Sequence, residues 1–246
     1  MGRTMNEDAF QILDYLPYQY KTVREEEYIN FLWETFEVNY EKEKYQFAFI
    51  AYHMLFMSFV YFSIWKIKIN REKDFAKALI GFSKDLENDM LDASTPFDFS
   101  KINESSIFRF FKLVGCKNDK IGEFTKIVKT RNDISHSNGN IFFNSQDLLD
   151  EKINEVLRCI DKIQERTECI IGNIFKQFLK NNWDNNGREW LDDGDQIREI
   201  LIRKNYFSKK DIGNCQTYNI KSLAQEKHFA KMKKLFKKFQ KEYLEN

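Results

Sequence analysis

Proline and glycine are scarce in this chain, at 2 and 9 of 246 residues. Proline breaks helices and glycine punctuates turns, so their scarcity argues against a turn-rich sheet architecture and for long uninterrupted helices. Neither sign of charge prevails: 39 Lys and Arg face 38 Asp and Glu, a formal net charge of +1. No chain-wide field draws the protein to nucleic acid, and any such contact has to be local. The four cysteines, Cys116, Cys159, Cys169 and Cys215, are far apart and form no CxxC pair. That spacing argues against a disulfide framework and against a zinc site, and fits a reducing cytosol. Also missing are a Walker-type loop, a dinucleotide fingerprint and a serine nucleophile elbow. The start, Met1-Gly2-Arg3-Thr4-Met5, lacks the apolar core and cleavage site of a secretory signal. The expectation is a cytoplasmic protein with no cofactor and no metal.

What the chain does have is phenylalanine, 24 of them, and apolar residues at helical spacing. The periodicity predicts helices over about 25–40, 42–69, 72–90, 104–114, 120–136 and 146–181. Gln46 to Trp65 runs about twenty residues without a charged side chain, long enough to span a bilayer. Gln46, His53, Ser58 and Ser63 lie inside that run, however, and a central helix enclosed by its neighbours has the same composition. We therefore read it as a core helix with no membrane contact. The fold class expected is all-α: an N-terminal segment (1–23), an antiparallel helical bundle (24–181), and a C-terminal helical extension (182–246) set off by the polar break Asn181-Asn182-Trp183-Asp184-Asn185-Asn186-Gly187. The extension should end in an amphipathic helix over about 223–243, with Phe229, Met232, Leu235, Phe236, Phe239 and Tyr243 on one side and lysines on the other.

The segment that carries chemistry is Arg131-Asn132-Asp133-Ile134-Ser135-His136. Phe124, Val128, Arg131 and Ser135 follow steps of four, three and four, so Arg131 continues the apolar stripe of its helix. A charge on a buried seam has to be paired or hydrogen-bonded. Asn132 and His136 share the polar face with Thr125 and Lys129. Histidine changes charge near neutral pH, which suits proton transfer. Five residues of helix set Arg131 and His136 about 140° apart. One chain alone makes a poor active site, whereas two copies meeting across a two-fold axis would line one cleft with both arginines and both histidines.

Arginine, a polar residue, three more residues and then histidine, at the end of a bundle helix, resembles the active-site motif of the HEPN ribonucleases. The resemblance implies metal-independent RNA cleavage in a composite dimer cleft, as a toxin or an anti-phage defence effector, with an antitoxin or sensor protein as a further partner. On this chain it makes His136 the general base or acid on the ribose 2'-hydroxyl and gives Arg131 the scissile phosphate, while Asn132 orients one of them. Lys129, with Lys231, Lys234 and Lys238 of the terminal helix, would grip RNA phosphates; the terminal helix reads first, however, as packing its Phe side on the body with its lysines in solvent, and an anionic membrane surface or a partner protein is a further alternative. Two alternatives stand beside this: a non-catalytic helical adaptor that uses the bundle seam to dimerise or bind protein, and ordinary helix-end residues, with Arg131 snorkelling and His136 capping. Among weaker signals, residues 182 to 193 partly follow an EF-hand loop, with Asp193 where a bidentate Glu belongs. His53 reads as a hydrogen-bonded core residue and His228 as solvent-facing.

Overall fold

The computed structural model describes residues 7–136 and 139–243. Among these there are helices and no strands. The first five residues, read above for an export signal, and Asn138 of the expected helix stop lie outside the described residues. The chain divides into two compact units: residues up to Leu13 with Thr22–Thr167, and Asp14–Lys21 with Glu168–Asn246. Where the sequence puts a boundary at the polar break after Asn181, this division falls between Thr167 and Glu168, inside a continuous helix.

In the first unit, α1 (Val23–Glu41) starts at a capping box, in which Thr22 accepts from the Glu25 N–H and Glu25 accepts from the Thr22 N–H. Two of the helix's orphan donors are thereby satisfied. Ile29, Leu32, Phe36 and Tyr40 form its buried stripe, and it turns through Glu43, at φ +57°, into α2 (Tyr45–Asn70). Helix α2 is long and apolar enough to cross a membrane, yet most of it is buried inside the unit. Residues such as Phe49, Tyr52, Phe56 and Phe59 are enclosed on all sides, each burial contributing about 1.5–3 kcal/mol. This is the behaviour of a core helix.

The helix expected over 72–90 is instead two. Helix α3 (Glu72–Ala78) ends in a turn where Gly81 takes φ +101°, and α4 (Lys84–Leu91) restarts with the Ser83 hydroxyl accepting from the Leu86 N–H. The apolar spacing runs through the break, but glycine in the left-handed region and a serine cap outweigh it. The expected 104–114 helix is a single α-turn, α5 (Glu104–Ile107), tightening into a 3-10 helix, Phe108–Val114, stopped by Gly115 at φ +81°. Helix α6 (Asn118–Ser135) packs on α2 and α5. The long α7 (Gln146–Asn181) buries Leu149, Ile153, Val156, Ile160 and Ile163 within this unit.

The second unit gathers the end of α7 with α8 (Asp193–Gln196), a π-helical stretch (Ile197–Arg203), α9 (Lys209–Gln216) and α10 (Phe229–Tyr243). The segment Asp14–Lys21 is tied in by hydrogen bonds: Tyr18 N–H donates to Phe207 O at 2.8 Å, and the Arg203 guanidinium donates to Tyr20 O and Lys21 O at 2.9 and 2.8 Å. The terminal helix begins at Phe229, after a 3-10 turn over Ile220–Leu223, and not at 223 as its composition suggests. Its Met232, Leu235, Phe236 and Phe239 are buried, with Phe175 lying 5.0 Å from the Phe239 ring. The lysines take the exposed side.

Candidate active site

Arg131 does continue the buried seam of α6, and the seam supplies its partner. Its guanidinium is paired with the carboxylate of Glu104, the first residue of α5. Arg131 exposes 25% of its side chain and Glu104 28%. The same carboxylate oxygen, Oε2, lies 3.0 Å from Nε2 of His53 on α2, and His53 is 1% exposed. Three helices thus deliver one histidine, one glutamate and one arginine to a single oxygen atom. Among the described residues the other ring nitrogen of His53, Nδ1, is buried without a hydrogen-bond partner. A cationic imidazole carries an N–H on both nitrogens, whereas the neutral Nε2–H form leaves Nδ1 as a bare acceptor. Burial pushes the His53 pKa below its ordinary 6.5, against the opposing pull of Glu104. Burial alone raises the Glu104 pKa, but the hydrogen bonds from His53 and Arg131 overcome it and hold the carboxyl below its ordinary 4.5. The cluster is therefore an ionised carboxylate, a cationic arginine and a neutral histidine.

His136 stands apart from that cluster. The helix expected to run through it ends at Ser135, and His136 is the C-cap residue in extended conformation, φ −84° and ψ 140°, exposed to solvent. Ser135 Oγ donates to Arg131 O at 2.7 Å, and Gln46 Nε2 donates to Ile134 O at 3.2 Å, so side chains meet two of the last carbonyls. Among the described residues no hydrogen bond joins Arg131 to His136. Asn132 is partly buried and Lys129 exposed on the same helix. Gln46 also accepts the Phe142 N–H at 3.0 Å, which brings the residues after the motif beside the start of α2. Phe47 and Met54 on α2 expose 60% and 39% of their surfaces, and Ile141 and Phe142 after the motif 76% and 39%.

In the second unit Lys231 and Lys234 line a cavity of about 580 Å³ together with Trp183, Arg188 and the carboxylates of Asp184, Asp192 and Asp193, so its charge is mixed. Lys238 lines another, of about 320 Å³, with Arg198 and Lys241 facing Asp192, Asp195 and Glu242. His228, expected in solvent, stacks on Trp183 with ring centres 3.8 Å apart, and Lys231 Nζ lies 4.8 Å from the Trp183 ring centre. The EF-hand likeness of 182–193 fails on its donors. Asn182 Oδ1 accepts from Gln196 at 2.6 Å, and Asp193 is paired at 2.5 Å with Arg188 from within the loop. An arginine thus supplies the positive charge that such a loop takes from a cation. Among the described residues no group of three His, Cys, Asp or Glu side chains is placed to hold a metal ion.

Sequence reasoning found Arg131 and its need for a partner, but not Glu104 or the use made of His53. Those two lie 27 and 78 positions before Arg131, and only the packing of α2, α5 and α6 brings them to it. No family model, no curated protein and no solved structure matches this chain.

Proposed function

We propose that this chain is a metal-independent endoribonuclease of the HEPN type, acting as a homodimer with a composite active site, in the role of a toxin or anti-phage defence effector. The observation that carries the reading is the contrast within one helix. Arg131 is fixed on the seam by Glu104 with a quarter of its side chain accessible, and five residues later His136 is exposed at the helix end. The exposed apolar residues Phe47 and Met54 on α2, and Ile141 and Phe142 after the motif, give a second copy a surface to pack against.

In the shared cleft, one His136 takes the proton of a ribose 2'-hydroxyl as the oxygen attacks phosphorus. The 5'-oxygen leaves with a proton from water, and Arg131 binds the phosphate oxygens on which charge accumulates. The products are a 2',3'-cyclic phosphate and a 5'-hydroxyl. Asn132 orients the histidine or the phosphate and Lys129 holds the RNA backbone, while Lys231, Lys234 and Lys238 of the second unit bind RNA phosphates in their own right.

The experiment is to incubate purified wild-type and His136→Ala protein with total RNA in excess EDTA and analyse fragment ends. Cyclic-phosphate fragments that require His136 are the expected result. Dimers that cleave nothing favour the alternative, a helical adaptor that uses the same apolar surface to bind protein.

A further inference from the structure

The motif places Arg131 and His136, but nothing in it accounts for the two acceptor and donor groups behind the arginine. Glu104 and His53 are not spread over the interior at random. One carboxylate oxygen receives both Nε2 of His53, at 3.0 Å, and the guanidinium of Arg131. His53 is sealed from solvent at 1% exposure, between the rings of Phe49 and Phe56 with centres at 6.4 and 6.0 Å. A carboxylate that accepts two such bonds is fixed in direction as well as in charge. An arginine has five N–H donors in a rigid plane, so with one nitrogen on Glu104 and a quarter of the side chain exposed, donors remain that can meet a second anion.

We infer that Glu104, backed by His53, is the positioning residue of Arg131: a buried clamp that fixes the plane of the guanidinium and presents its remaining donors to the scissile phosphate. The phosphate part of this inference rests on the nuclease reading given above. The clamp itself does not.

A steric role for Glu104 is preserved by glutamine, which has the same size and an acceptor oxygen, whereas the clamp needs the charge. Glu104→Gln should lower kcat for RNA cleavage by about 10- to 100-fold, the cost of a catalytic group displaced by around an ångström, with KM little changed. Glu104→Asp, charged but one methylene short, should recover part of that loss. Nitrogen NMR on the full-length protein supplies a readout independent of cleavage. In the wild type the Arg131 guanidinium should rotate slowly and His53 should show the Nε2–H tautomer, and Glu104→Gln should release the arginine to the fast averaging of an exposed one. A Glu104→Gln enzyme with wild-type kcat, or an Arg131 already averaging freely in the wild type, overturns the inference. If the wild type cleaves no RNA but its Arg131 is restrained and then released by Glu104→Gln, the clamp stands and the nuclease reading is what falls. Should Glu104→Gln not fold, the wild-type Arg131 and His53 signals decide alone.

Discussion

Arg131 in the first unit and Arg188 in the second both meet a carboxylate, Glu104 and Asp193, but Arg188 exposes 2% of its side chain and Arg131 25%. Around Arg188 the loop spends its polar groups on itself. Asp192 caps the next helix through the Gly194 and Asp195 N–H groups, at 2.7 and 3.1 Å, and Asn182 holds Gln196. Around Arg131 the polar groups come from three helices, and a quarter of its side chain stays exposed. A sealed arginine–carboxylate pair locks a loop, while a partly open one, stiffened from behind, is what a site for an anionic substrate requires. Either geometry satisfies the rule that buried charge must be paired, so pairing alone does not separate structure from function.

The largest effect should come from removing the sealed cation. Arg188→Ala leaves Asp193 without its partner and should cost the second unit about 3 kcal/mol, read as a lower midpoint in chemical denaturation. Arg131→Ala should cost the first unit less, about 1–2 kcal/mol, because Arg131 is less buried than Arg188 and Glu104 keeps His53, yet it should abolish cleavage. A larger stability loss for Arg131→Ala than for Arg188→Ala would reverse the contrast.

Acid should act next, through the neutral His53. Its folded pKa is depressed, so below pH 6.5 the unfolded chain takes a proton that the folded one refuses, and stability falls as pH drops from there toward the folded value. Glu104, also depressed, adds stability that is complete above its ordinary 4.5 and is lost as pH falls through its lower folded value. Denaturation midpoints across pH 7 to 2 should therefore decline in two stages, and His53→Phe should flatten the upper one and shrink the lower, because Glu104 then loses the hydrogen bond from His53. An unchanged upper stage in that variant would show that His53 is not its source.

Much of this was open to sequence reasoning where the determinants are local. The stripes of α1, α6 and α7 follow from helical spacing, and Arg131 was marked as a buried charge because it interrupts one of them. Glu104 was hidden, because in sequence it begins one short turn and looks like an ordinary first-turn acid. His53 was visible as a core histidine but its purpose was not, since that depends on a residue 51 positions away. The stack of His228 on Trp183 was missed for the same reason. The break at Gly81 was different: its glycine and the Ser83 cap were there to be read, and apolar periodicity was given too much weight.

The smallest effect tests whether α6 is held by packing or by propensity. A Cβ at Gly122, inside α6, meets nothing within 4 Å. Gly122→Ala should stabilise the first unit by about 0.5–1 kcal/mol and leave cleavage unchanged. A loss of stability would mean that this face of α6 is covered in solution.

The central claim is that two chains build one site, and mixing two dead variants tests it most directly. Arg131→Ala and His136→Ala proteins, each inactive alone, are co-expressed with different tags and purified as the mixed dimer. That dimer's cleft keeps one arginine and one histidine from different chains, and RNA cleavage should return in part. A mixed dimer as inactive as either parent would contradict the composite site.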